Sequence, residues 1–204
     1  DDDVAYTIIT SNATSTDVKY SGLVVADVSV TNQDDDVAGV TVTPTSGLTT
    51  TEAGGTATFT VRLHTRPTAN VVINLTSNNT NEGTLLPVSL TFTSANWSTP
   101  QTVTVKGVDD DVDDGNVAYT IITSNAVSTD TKYSGMDVPD VSVTNTNNDT
   151  AGITVTPTSG LTTTEAGGSA TFTIRLNTRP TANVSIAVSS SNTAEGTVSP
   201  ASLT

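Results

Sequence analysis

Apolar and polar residues alternate with period two along most of this chain. In the stretch Thr56–Leu63, Ala57, Phe59, Val61 and Leu63 fall on one face, while Thr56, Thr58, Thr60 and Arg62 fall on the other. That alternation marks a strand with one buried and one wet face. The same pattern returns with Val71, Ile73 and Leu75, with Val88, Leu90 and Phe92, and with Val103 and Val105. It continues through Val117, Tyr119 and Ile121, and through Val141 and Val143. An opening strand carries Val40 and Val42 and stops at Pro44. About seven strands divided by turn-rich loops predict a β-sandwich of Ig-like topology. Phe59 and Trp97 are the expected large core residues, and truncating a buried Phe59 to alanine costs about 3–5 kcal/mol.

The alternation itself repeats. Ser46-Gly47-Leu48-Thr49-Thr50-Thr51-Glu52-Ala53-Gly54-Gly55 returns from Ser159 to Gly168, an offset of 113 residues. Val4-Ala5-Tyr6-Thr7-Ile8-Ile9-Thr10 returns from Val117 to Thr123 at the same offset of 113. One offset at two distant places means a tandem array of one unit. Residues 38–149 make a whole repeat, residues 1–37 match the end of one, and residues 150–204 match the beginning of one. The sequence therefore reads as a window of a longer array, or as a chain whose half-repeats are completed by neighbouring chains through strand donation. Joined ends would lack the counterpart of Phe92–Asp113. Where the two copies differ, the face assigned as buried changes conservatively: Val61 becomes Ile174 and Leu75 becomes Val188. The wet face changes freely, with Val72 becoming Ser185 and Asn74 becoming Ala187.

Composition supports strands throughout. Thr, Val and Ile abound, and their β-branched side chains favour sheet. A repeat of this size buries a core without covalent staples, and the chain has no cysteine. Lys plus Arg number 7 against 21 Asp plus Glu, for a net charge of −14. Such a chain repels nucleic acid and anionic membrane, so neither is an expected partner. No segment approaches the ~18 uninterrupted apolar residues of a spanning helix, so membrane insertion is not expected either.

The negative charge is concentrated. It falls in Asp1-Asp2-Asp3, in Asp34-Asp35-Asp36, and in Asp109-Asp110-Asp111-Val112-Asp113-Asp114, all at predicted strand ends. Two carboxylates 4 Å apart repel by ~1 kcal/mol in water and ~4 kcal/mol at an effective dielectric of 20. A hard divalent cation relieves that repulsion through oxygen ligands alone. With no cysteine and one histidine, zinc and copper sites are not expected. The alternative is that the Asp runs are solvated turns that discourage aggregation. An EF-hand loop does not fit, because Asp114 stands where glycine is required and Thr120 where the bidentate glutamate belongs.

The order of these features is specific. Thr51-Glu52-Ala53-Gly54-Gly55 precedes the alternating strand from Thr56. Leu90-Thr91-Phe92-Thr93 follows, then the strand Gln101–Gly107, the acidic loop Val108–Asp114 and a closing polar run, Asn147-Asn148-Asp149. The whole repeat resembles a Calx-beta domain, as found in sodium–calcium exchangers, integrin β4 and bacterial surface proteins. It is similar above all to the Thr-rich variant repeated in giant bacterial adhesins and secreted fibrous proteins. The resemblance implies calcium at one end of the sandwich. Carried over, the ligands would be Glu52, Asp109, Asp110, Asp111 and Asp113 or Asp114, with Asp149 in the closing run. Asp34, Asp35 and Asp36 would close the upstream site, and Glu165 would begin the next. The family's loop continues into Glu-Gly-Asp-Glu, whereas this chain has Asp114-Gly115-Asn116, and fewer charges mean weaker binding.

Weaker signals point elsewhere. His64, the single histidine, becomes Asn177 in the second copy, as no catalytic base should. Glu52 and Glu82 could be imagined as a glycosidase pair, but Glu165 and Glu195 repeat them in the same contexts. No Gly-x-Ser-x-Gly elbow is present. Arg62 and Arg66 read as surface residues. Asn-x-Ser/Thr acceptors for covalent glycans occur at Asn12, Asn74, Asn78, Asn96, Asn148 and Asn183. The combined reading is an array of Ig-like, Calx-beta-like sandwiches in an extracellular adhesin stalk or fibril, stiffened by Ca2+, whose partners are neighbouring repeats or identical chains. The rival is a glycan- or protein-binding recognition module, which calls for exposed aromatic platforms in a chain only 4% aromatic.

Overall fold

The structure is a computed structural model that describes residues 2–204. It is all-β, and no helix long and apolar enough to cross a membrane occurs among the described residues. The chain divides into two units that meet at Gly39 and Val40.

The first unit is a hairpin of β1 (Val4–Ile8) and β2 (Val28–Asn32), antiparallel, with Tyr6 opposite Val30. Asp34 and Asp36 form a local turn, the N–H of Asp36 donating to Asp34 Oδ1 at 3.3 Å. The N–H of Asp34 donates to Asp3 Oδ1 at 2.9 Å.

The second unit begins with β3 (Val40–Thr43), β4 (Leu48–Thr51), β5 (Thr56–Leu63), β6 (Val71–Ser77) and β7 (Gly83–Leu86). It continues with β8 (Ser89–Phe92), β9 (Gln101–Gly107), β10 (Val117–Thr123) and β11 (Val141–Thr146). These strands form a β-sandwich of two sheets. One has the order β4-β11-β10-β6-β8 and the other β3-β5-β9-β7. Every pairing is antiparallel except β4 on β11. The seven alternating segments are all strands, and β4 and β7 are two more. After them come β12 (Ile153–Thr156) paired with β13 (Thr173–Leu176), and β14 (Ile186–Ala187) paired with β15 (Ser202–Leu203).

The core lies between the two sheets. Phe59, Val61, Leu63, Val71, Ile73, Leu75, Leu90, Phe92, Val103, Val105, Ile121 and Val141 are almost wholly buried, as their positions on the alternating strands require. Two expectations are corrected. Val88 is exposed, because β8 starts one residue later and only Leu90 and Phe92 point inward. Trp97 is half-buried in the turn before β9, and its contribution is a carbonyl that accepts the N–H of Leu63 at 3.0 Å. Tyr133, in the loop between β10 and β11, is the largest of the fully buried side chains among the described residues.

Candidate metal centre

β9 delivers the acidic loop to one end of the sandwich. Gly107 closes the strand, and a Cβ there would collide with the Thr51 carbonyl and the Asn145 side chain. Only glycine lets β9 pass this close to β4 and β11 before the chain turns into Val108–Asp114. Asn145 then fixes the loop from beneath. It is buried, it donates from Nδ2 to the Val108 carbonyl at 3.0 Å and to Glu82 Oε2 at 3.3 Å, and its Oδ1 accepts the Thr50 hydroxyl at 3.0 Å. Thr50 also meets the Tyr119 hydroxyl at 3.1 Å. Burial raises the Tyr119 pKa, the Thr50 bond opposes the shift, and the charge of Glu82 adds to it.

The loop is shaped by its own carboxylates and by the polar run after β11. Asp110 Oδ1 accepts the N–H of Val112 at 2.7 Å. Asp113 accepts from Asn147 Nδ2 at 3.1 Å through Oδ1 and from the N–H of Ala151 at 2.8 Å through Oδ2. Asp109 Oδ1 accepts from Asn148 Nδ2 at 3.1 Å. Glu52 is buried and receives the N–H of Asn148 at 2.8 Å.

Three carboxylate oxygens, one each from Glu82, Asp110 and Asp114, lie within 4.8 Å of one another. Two oxygens bound to one calcium at about 2.4 Å can be at most about 4.8 Å apart, so this spacing fits a shared ion. Asp149 Oδ2 is shielded from solvent and accepts no hydrogen bond. Burial raises the Asp149 pKa, and the charges of Asp111, Asp109, Asp110 and Asp113 raise it further. The Glu52 pKa is also raised, first by burial and then by the charges of Asp110, Asp114 and Asp149, against the opposing Asn148 hydrogen bond. The donor set is all oxygen, as calcium or magnesium requires and zinc or copper does not.

The structure places the expected residues unequally. Glu52, Asp109, Asp110, Asp111, Asp113, Asp114 and Asp149 share the end described above. Glu165 is exposed, as are Asp35 and Asp36, while Asp34 is half-buried in the separate hairpin unit. Glu82, dismissed in the sequence as repeated structure, joins Asp110 and Asp114 in the carboxylate group within 4.8 Å, and Asn145 and Thr50 support it. The signal for all three was their return as Glu195, Asn32 and Thr163. Among the glycan acceptors, Asn12, Asn74, Asn78, Asn148 and Asn183 are exposed and Asn96 is half-buried. The Asn148 amide is already committed to Asp109. His64 is exposed and bonded to the Thr41 hydroxyl at 2.6 Å.

No family model and no curated protein matches the chain. Among solved structures, it is similar to the apo form of the Calx CBD1 domain at 18% identity, with 56% of this chain and 100% of that chain covered and a TM-score of 0.43. It is similar to domains 4 and 5 of the S-layer protein SbsC at 20% identity, covering 72% and 76% with a TM-score of 0.34. For the periplasmic chaperone SfaE the identity is 11%, the coverage 54% of this chain and 58% of that one, and the TM-score 0.39. The chain thus spans little more than half the length of SfaE.

Proposed function

We propose that this chain is a structural segment of a tandem-repeat stalk or fibril on a cell surface or in the extracellular space, and that it binds calcium at the acidic end of its sandwich. Its repeats are residues 38–149 and the two partial ones, 1–37 and 150–204, completed by neighbouring repeats or identical chains. The observation that carries the metal reading is the shielded, unbonded Asp149 oxygen at the end where Glu82, Asp110 and Asp114 converge. Glu52, Asp109, Asp111 and Asp113 would supply the remaining charge. Asp34–Asp36 and Glu165 would play the same part in sites shared with adjoining repeats. A bound divalent cation would remove the mutual repulsion of the loop and stiffen the join at Asp149-Thr150-Ala151, where Asp113 already holds the Ala151 N–H.

Reaction chemistry finds no support in the repeated residues, and the recognition reading would need aromatic surfaces that this chain hardly has. Glycans on Asn12, Asn74 or Asn183 would solubilise a long fibre, and intact mass reports them directly. Electron micrographs of native particles with and without a chelator test the proposal. Beaded threads that bend or shorten when calcium is withdrawn are expected, and compact particles indifferent to chelator would refute it.

A further inference from the structure

The acidic loop carries one residue that its charge does not explain. Val112 stands among Asp109, Asp110, Asp111, Asp113 and Asp114. It is buried, while Asp109, Asp111, Asp113 and Asp114 are exposed. What it faces belongs to the following repeat. Val112 lines a crevice with Ala151 and with the connection between β13 and β14, from Thr178 to Ala182.

Two hydrogen bonds flank it. The Arg179 N–H donates to the Asp111 carbonyl at 2.7 Å. The Ala151 N–H donates to Asp113 Oδ2 at 2.8 Å. Ala151 lies in the linker after β11 and Arg179 lies beyond β13, so the loop holds the following repeat at two separate places. A bond at the linker alone leaves a hinge. A second bond, on another part of the same repeat, removes the rotation about it. The loop is shaped for both, because Asp110 Oδ1 fixes the Val112 N–H and Asn147 Nδ2 fixes Asp113 Oδ1.

The receiving connection is a standard part of the repeat. Thr178-Arg179-Pro180-Thr181-Ala182-Asn183 is identical to Thr65-Arg66-Pro67-Thr68-Ala69-Asn70, between β5 and β6. In the complete repeat that connection is bonded from its inner side. The Tyr133 hydroxyl donates to the Thr65 carbonyl at 2.7 Å, and Asp130 Oδ2 accepts the Thr68 N–H at 2.7 Å. Arg66, between the two, is exposed. In the second copy the arginine at this place is the one whose N–H meets Asp111.

We propose that the loop Asp109–Asp114 is the docking surface for the Arg-Pro connection of the following repeat. The Asp111 carbonyl, the Val112 side chain and Asp113 fix the orientation of one repeat on the next. This rests on the tandem-repeat reading above and adds the surface by which successive repeats recognise each other. It also gives the opposite end of the sandwich a task, since Asp130 and Tyr133 hold in place the connection that such a loop grips. None of the three contacts needs an ion. A cation held by Glu82, Asp110 and Asp114 would tighten a joint that the chain already forms, through the Asp110 bond to Val112.

The test is pulsed double electron–electron resonance on the full chain. Nitroxide labels go on Thr58→Cys in β5 and Arg175→Cys in β13, both exposed positions in a chain without native cysteine. One narrow distance is expected in chelator. Val112→Asp puts a charge into the crevice. Arg179→Pro removes the donating N–H without touching the acidic loop, and it lies outside β3–β11, so the sandwich melts as before. Each variant should lose the narrow distance and show a broad spread instead. A broad spread in the chain without these substitutions would overturn the proposal, and so would a narrow distance kept by either variant. Calcium separates this from the metal reading. A narrow distance in chelator that calcium leaves unchanged upholds the dock and counts against stiffening by the ion. A broad distance in a chain whose melt still rises with calcium overturns the dock and leaves the metal reading standing.

Discussion

The two ends of the sandwich hold their aspartates in opposite ways. At the end where β6 begins, Asp130 receives the N–H groups of Thr68 at 2.7 Å and Lys132 at 2.9 Å. Beside it the Tyr133 hydroxyl donates to the Thr65 carbonyl. Burial opposes ionisation of Asp130, but the Thr68 and Lys132 N–H groups and the Lys132 charge hold its pKa below the ordinary value. At the other end, Glu52 and Asp149 sit among like charges with raised pKa values. One end is closed by the chain's own donors. The other crowds like charges together, with Lys106 and Arg179 along its flanks, and leaves a shielded carboxylate oxygen without a partner. A structure that satisfies buried carboxylates so fully at one end has the means to do so at both, and the deficit at the other is what the proposed cation would fill.

The largest expected effect comes from breaking the closed end. Asp130→Ala strands two N–H groups in a buried loop and should cost about 3 kcal/mol in urea unfolding. Gly107→Ala attacks the acidic end through packing alone. It forces a methyl against Thr51 and Asn145 and should cost about 1–3 kcal/mol, with the calcium response weakened as the loop shifts. Between them these variants ask whether each end stabilises the fold by the means assigned to it.

pH separates the ends by sign. The raised Glu52 and Asp149 bind protons more tightly in the folded state than in the unfolded chain. Without a cation, their effect favours the fold below the ordinary carboxylate pKa, and that benefit is lost as pH rises through it toward the raised values. Asp130 runs the other way: its contribution is complete above the ordinary value and disappears as pH falls through the lowered one. Thermal melts in chelator should therefore show Glu52→Gln flattening the loss on the alkaline side of the carboxylate range. Asp130→Asn should flatten the loss on the acid side. The same direction of change in both variants would erase the distinction between the ends.

Much of this was legible in the sequence, for a physical reason. Strands that bury aliphatic side chains on one face write their period into the chain, and β3, β5, β6, β9, β10 and β11 all do so. β4 and β7 do not. The fully buried residue of β4 is Thr50, satisfied by Tyr119 and Asn145, and β7 turns Gly83 inward against the Tyr119 ring. Polar and glycine positions in a core carry no hydrophobic period. The closed end was also silent, because Asp130 and Tyr133 lie in a loop. Their only trace was the repetition of Asp17-Val18-Lys19-Tyr20-Ser21-Gly22 as Asp130-Thr131-Lys132-Tyr133-Ser134-Gly135. The acidic loop was conspicuous as charge, whereas the part played by Glu82 depended on the fold bringing its loop to Asp110 and Asp114.

The most direct measurement is the melting temperature of the full chain titrated with calcium after exhaustive chelation, with Asp110→Asn alongside. At a hundredfold excess over Kd a single site adds about 2.7 kcal/mol, a rise of about 10 °C for a unit of this size, and the variant should show much less. A wild-type melt unmoved by millimolar calcium would contradict the account of the acidic end.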